Sequence, residues 1–79
     1  MKRTDVEVSF LDKGRGDWEE RLRSVASLEG AHWFASGYFF PTGRRDLSFS
    51  FQSKCAALRF RRKARALRAP GFTCTVENN

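Results

Sequence analysis

Apolar and polar residues alternate along three short stretches of the chain, and this alternation predicts three β-strands. In the first stretch Val6, Val8 and Phe10 share one face. The same period of two recurs over residues 46–52 and 72–77. A period of two is typical of a strand that buries one face and exposes the other. Each of these strands is therefore expected to turn one face toward a common core.

Residues 31–40 predict a fourth strand, at an edge of the sheet, although its aromatic residues fall on both faces. One face is wholly apolar and is expected to point into the core: Trp33, Ala35, Gly37 and Phe39. The other face would then lie on the open side of the sheet: Phe34, Tyr38 and Phe40. Exposed aromatic side chains in a row favour a contact site. The alternative is that loops or the chain termini cover them.

The spacing of apolar residues predicts a helix after the first strand and its loop. Trp18 and Leu22 lie one turn apart on the same stripe. Asp17 is placed to cap the N-terminus, and Glu20 follows it three residues later as in a capping box. Gly30 is a plausible C-terminal stop.

A second helix is predicted over residues 54–68, between Ser53 as N-cap and the Ala-Pro-Gly sequence at residues 69–71. Its apolar residues occupy about a third of the helix circumference. These residues are Ala56, Ala57, Phe60, Ala64 and Leu67. This stripe is expected to pack on the sheet.

The predicted order is strand, helix, strand, strand, helix, strand, which is typical of the split βαβ, or ferredoxin-like, arrangement in the α+β class. Right-handed crossovers would place both helices on one face of a four-stranded antiparallel sheet. No repeat, linker or low-complexity tract interrupts the chain, so residues 1–79 are predicted to form one domain. A common core is expected to contain Val8, Phe10, Leu22, Phe49, Phe60 and Val76.

The basic excess of the chain is concentrated in the second helix. The net charge is +6, yet residues 53–70 alone contain seven Lys or Arg and no acid. Like charges on one helix repel one another unless solvent, salt or a partner relieves the repulsion. The helix face is therefore interpreted either as a solvated surface or as a docking surface for phosphates or an acidic protein. The candidate residues are Arg59, Arg61, Arg62, Lys63, Arg65 and Arg68, which Arg44 and Arg45 at the predicted turn would extend.

The residues that usually carry catalysis or metal binding are sparse in this sequence. The chain has one His and two Cys, without CxxC or HxxxH spacing. No cofactor or metal site is predicted, and an enzyme is the least favoured class. No long apolar run or signal peptide is visible, and two cysteines do not make a disulfide scaffold, so a cytoplasmic protein is expected.

The same strand order occurs in the RNA recognition motif, which stacks bases on aromatic side chains of the open sheet face. Here the corresponding positions hold other residues: Glu7, Ser9, Leu11, Ser48, Ser50 and Gln52. Because that stacking platform is missing, any contact with nucleic acid would have to use the basic helix or the edge aromatics.

Two hypotheses for function follow. The first is a non-catalytic protein that docks on a larger assembly, through an acidic protein or nucleoprotein surface, by its basic helix and edge aromatics. Small phage-encoded inhibitors such as anti-CRISPR proteins share this general profile, although no motif identifies one. The second is direct binding of RNA or DNA by the basic helix. A homodimer through the edge strand or the open sheet face is compatible with both.

Overall fold

A computed structural model of the protein describes residues 3–12 and 17–78, with the side chains at positions 33, 34 and 78 outside this description. Four strands and two helices follow one another in the predicted order. They are β1 (Thr4–Leu11), α1 (Asp17–Leu28), β2 (His32–Phe39), β3 (Arg44–Phe51), α2 (Lys54–Ala66) and β4 (Thr73–Asn78).

The strands form one antiparallel sheet in the order β2-β3-β1-β4. Both helices pack on the same side of this sheet, α1 against β2 and α2 against β1, β3 and β4. This arrangement confirms the predicted ferredoxin-like α+β fold. It also makes β2 and β4 the two edges, roughly 14 Å apart at three inter-strand spacings.

The core lies between the sheet and the two helices. The Phe60 ring is fully buried, and its centroid lies 5.3 Å from the centroids of both Phe49 and Phe51 on β3. Five of the six predicted core residues are buried: Val8, Phe10, Leu22, Phe49 and Phe60. Val76 is only partly buried because it belongs to β4, whose outer side has no neighbouring strand in the described structure.

The predicted helix ends are confirmed at Ser53 and Gly30. The Ser53 hydroxyl oxygen accepts a hydrogen bond from the Ala56 backbone N–H at 3.1 Å, which caps α2. Gly30 after α1 and Gly43 in the β2–β3 turn have φ of +78° and +71°. Glycine adopts this left-handed backbone without the steric cost that a side chain would add.

The predicted assignment of faces along β2 holds at Trp33 but is wrong from Ala35 onward, and a register irregularity is the reason. Trp33 pairs with Phe49, but Ala35 pairs with the very next residue, Ser48, so one residue of β2 is left over. An extra residue exchanges the two faces of a strand from that point onward. Tyr38 consequently lies on the helix side, opposite Arg45, and Phe39 lies on the open side, opposite Arg44.

Candidate functional site

The cations of α2 separate onto different sides of the helix. With Phe60 pointing into the core, the helical period directs Arg59 and Lys63 to one flank and Arg61 and Arg65 to the other. The first flank faces α1, as its ion pairs show. The second flank lies on the opposite side of the helix, toward β4, against which α2 packs.

Glu29, immediately after α1, neutralises the first flank. Its carboxylate oxygens accept hydrogen bonds from Arg59 Nε at 2.8 Å and from Lys63 Nζ at 2.6 Å. The Glu29 side chain is only 7% exposed, while the two cations are about half exposed. The hydrogen bonds from Lys63 and Arg59 lower the Glu29 pKa from its ordinary value of 4.5. Two of the predicted binding cations are thus already engaged within the domain.

Because the Glu29 pKa is lowered in the folded state, this carboxylate should stabilise the fold above pH 4.5 and cease to do so as the pH falls through its lowered pKa. We expect Glu29→Gln to lower the melting temperature at pH 7. The difference from the parent should shrink steadily in acid and vanish once Glu29 is protonated. Thermal melts from pH 7 to pH 2.5 measure this, and a difference that is constant across the range would contradict it.

The remaining cations form an arginine cluster, defined as Arg61, Arg62, Arg65 and Arg68. None of the four contacts an acidic side chain in the described part of the chain. Together with Leu58 and Ala66 they line a shallow, open depression on the outer side of α2. The surface therefore combines several uncompensated positive charges with a small apolar base.

Arg61 and Arg65 lie on the β4 side of α2. This helix packs against β4, and its opposite flank faces α1 through the ion pairs of Arg59 and Lys63 with Glu29. Burial raises the pKa of the Cys74 thiol on β4, and the positive charges of Arg61 and Arg65 oppose that shift. The sequence predicted the basic helix but gave no sign that one of its flanks would lie beside this edge strand.

Arg68 has an unusual backbone for an arginine. It follows the last turn of α2 with φ of +59°, and its N–H donates to the Arg65 carbonyl at 3.1 Å. This left-handed position after a helix is one that glycine usually occupies. The chain thus places an arginine, with its charge, where the backbone favours glycine.

Arg44 and Arg45 are engaged inside the domain and are not simply exposed turn residues. Arg44 donates from Nε to the Ser9 hydroxyl oxygen at 2.9 Å and from a terminal nitrogen to the Gly71 carbonyl at 2.7 Å. Arg45 forms ion pairs with Asp12 at 2.8 Å and with Glu19 at 3.0 Å. Its hydrogen bond to Asp12 is the main cause that raises the Arg45 pKa. A role for either arginine in binding stays a prediction.

The aromatic residues of β2 lie at the opposite edge of the sheet from the arginine cluster. The Tyr38 hydroxyl donates to the Asp12 carbonyl at 3.4 Å, and the Arg45 guanidinium carbon lies 5.1 Å from the Tyr38 ring centroid. Phe39 is 58% exposed and Phe40, in the turn, is 83% exposed. The Phe34 side chain lies outside the described part of the structure. The predicted surface therefore divides into two, since β2 and β4 are separated by the full width of the sheet.

The open face of the sheet differs in charge from the helix side. Its strand register places several carboxylates there: Asp5 and Glu7 on β1, Asp46 on β3 and Glu77 on β4. Asp5 and Glu77 are directly opposite each other across the β1–β4 pair. Arg44 lies on the same face, opposite Leu11, so the carboxylates of the described strands outnumber this cation there.

Other kinds of site find little support in residues 3–12 and 17–78. No three His, Cys, Asp or Glu side chains converge there in a way that would hold a metal ion. Cys55 and Cys74 are both free thiols, the first exposed and the second half-buried. Within the same ranges no helix has the length and apolar character needed to cross a bilayer.

Comparisons with known proteins bear on the fold. Neither the known protein families nor the curated proteins give a match to the sequence. Among solved structures, formyltetrahydrofolate deformylase from Burkholderia mallei is similar, with a TM-score of 0.70 at 8% sequence identity. The similarity covers 95% of this chain but only 27% of the deformylase chain. A likeness at this identity shows that the chain has the same fold as that part of the deformylase.

Proposed function

We propose that this protein is a non-catalytic binding module that docks on an acidic protein surface, alone or within a nucleoprotein assembly, through the arginine cluster of α2. One observation carries the proposal. Glu29 neutralises the α1 flank of the helix, whereas four arginines on its outer and β4 flanks contact no acid in the described chain. A module of this kind acts by occupying its partner, as an inhibitor or an adaptor does.

The charge distribution favours a protein partner over free nucleic acid. Four arginines allow at most about four phosphate contacts, which limits affinity at physiological salt. The acidic open face prevents a nucleic acid from wrapping further around the domain. An acidic patch on a folded protein needs only the one flank that the arginine cluster provides.

Affinity capture from a native cell lysate, with and without nuclease, tests the proposal if two matched variants are compared with the parent protein. Arg61→Gln with Arg65→Gln removes two charges from the cluster, and Arg59→Gln with Lys63→Gln removes two from the flank that Glu29 already neutralises. We expect captured protein to survive nuclease, to be lost with the first variant and to be kept with the second. Direct RNA or DNA binding predicts the reverse: loss on nuclease treatment, and tight binding of naked oligonucleotides with a log–log salt slope near −0.9 per duplex phosphate contacted.

Variants of Arg68 separate the effect of its charge on partner binding from the effect of its backbone strain on stability. Arg68→Gly should raise stability by up to about 1 kcal/mol, because glycine accepts positive φ, and should at the same time weaken partner capture. Arg68→Asn should weaken capture equally, since asparagine also tolerates this backbone but carries no charge. Chemical denaturation and capture assays measure the two effects. Unchanged capture by both variants would remove Arg68 from the binding surface.

A further inference from the structure

The outer edge of β4 is available for another strand. β4 pairs with β1 on one side, and no strand of the described structure pairs with its other side. Unpaired N–H and C=O groups along such an edge form a template on which an extended peptide can add. The edge itself does not identify the peptide, but the side chains that flank it do.

The helix side of this edge is apolar and is flanked by cations of α2. Phe72, Cys74 and Val76 are half-buried there and pack against the core, while Thr73 and Thr75 on the other face are exposed. Arg61 and Arg65 lie on the flank of α2 that faces away from α1, on the side where the helix packs against β4. A strand added to β4 would therefore place every second side chain between an apolar surface and two arginines.

The spacing of the arginines matches the spacing of side chains on a strand. Arg61 and Arg65 are one helical turn apart, which is about 6 Å along the helix axis. Alternate side chains on one face of a strand repeat at roughly 6.6 Å. Successive acidic side chains on the helix-facing side of an added strand can therefore each meet a different arginine.

The open face of the sheet would exclude acidic residues at the intervening positions. Glu77 of β4 points to that face and is exposed. A carboxylate added directly beside Glu77 would be repelled. The preferred segment thus has acids on one face only, with neutral or basic residues on the other.

We infer that β4 and the arginine cluster together form a receptor for an extended acidic segment of a protein partner, which adds to the sheet as a fifth strand with its carboxylates toward α2. This inference rests on the proposed docking function and specifies the form of the bound partner. The β2 edge lacks the same combination, because its register is irregular near Ala35 and the nearby Arg45 is engaged by Asp12 and Glu19.

Three synthetic peptides as long as β4 test the pattern of charge. Each peptide has six residues, as β4 does. The first has glutamate at every second position with threonine between, the second has the same composition with its glutamates in one consecutive run, and the third is all glutamate. Strand addition predicts that the alternating peptide binds most tightly, although the all-glutamate peptide carries more charge. Simple electrostatic attraction predicts that the all-glutamate peptide binds best. That result would overturn the inference.

Backbone methylation tests the pairing itself. In a strand, the N–H groups of alternate residues point to the same side. N-methylation of either the glutamates or the threonines should therefore abolish binding of the alternating peptide, while methylation of the other set should leave it largely intact. Equal effects of the two methylated peptides would contradict strand addition.

Variants and a chemical label locate the peptide on the protein. The double variant Arg61→Gln with Arg65→Gln should bind the alternating peptide about tenfold or more weakly than the parent, because charge-assisted hydrogen bonds are lost. Arg59→Gln with Lys63→Gln should change its affinity little. The bound peptide should also protect Cys74 from alkylation without protecting the exposed Cys55. Alkylation of Cys74 at an unchanged rate would contradict binding at this edge.

The outcomes separate this inference from the function on which it rests. If the cluster variant abolishes partner capture but the peptides show no preference for alternation, the docking function stands and strand addition is wrong. If the cluster variant leaves capture unchanged, the docking function fails and the inference fails with it. Tight binding of naked oligonucleotides in place of the acidic peptides would overturn both.

Discussion

Replacing Phe60 with alanine is expected to lower the free energy of unfolding by about 3–5 kcal/mol, as large-to-small changes in a protein core do. The Phe60 side chain is fully buried and packs against the rings of Phe49 and Phe51. Truncation would remove these contacts and leave a cavity where α2 meets the centre of the sheet. Urea denaturation, followed by circular dichroism, measures the loss.

Leu28→Ala provides the control for this change. Leu28 is 78% exposed at the end of α1, so its truncation should alter stability by no more than about 0.5 kcal/mol. A Phe60→Ala protein that unfolds at the same urea concentration as the parent would show that α2 does not hold the core together. The arginine cluster would then lose its fixed position beside β4.

Arg45→Ala is expected to lower the free energy of unfolding by about 1–3 kcal/mol, which is the range for losing a charged partner of a buried polar group. Arg45 Nε donates to an Asp12 carboxylate whose side chain is only 7% exposed, and a terminal nitrogen pairs with Glu19 on α1. The same guanidinium packs on the Tyr38 ring. One side chain therefore joins the edge strand, the residue that follows β1 and the first helix.

Two further variants, Arg62→Ala and Arg45→Lys, serve as comparisons for the stability of Arg45→Ala. Arg62 is exposed and contacts no acid in the described chain, so its truncation should be nearly neutral for stability. Arg45→Lys should recover little of the stability that Arg45→Ala loses. A lysine ammonium cannot bind two carboxylates at once as the planar guanidinium of arginine does. If Arg45→Ala unfolds like Arg62→Ala, Arg45 is a surface residue and its predicted role in binding becomes the better account of it.

Much of the fold was predictable because it depends on local pattern. Alternation over Val6, Val8 and Phe10 requires a strand with one buried face, and the stripe around Phe60 requires a helix on a sheet. Ser53 caps α2 through its own hydroxyl, which needs no distant residue. Since the order of the elements allows few arrangements of this length, the ferredoxin-like topology followed from these local features.

The faces of β2 were not predictable in the same way. Aromatic residues on both faces are compatible with any register, and a single extra residue near Ala35 is enough to exchange the two faces. Only pairing with β3 selects where that residue lies. In the structure Tyr38 therefore lies on the helix side and Phe39 on the open side, opposite to the prediction. The residues of the alternating strands β1 and β3 lie on their predicted faces.

The sequence by itself determined the elements, their order and the concentration of positive charge in α2, because each of these is a property of neighbouring residues. The tertiary structure decided which of those charges are neutralised and which remain. Glu29 is far from Arg59 and Lys63 along the chain, and only the packing of α1 beside α2 brings its carboxylate within 2.8 Å and 2.6 Å of them. The same packing turns Arg61 and Arg65 toward β4, so the position of the candidate binding surface depends on long-range contacts that residue pattern does not encode.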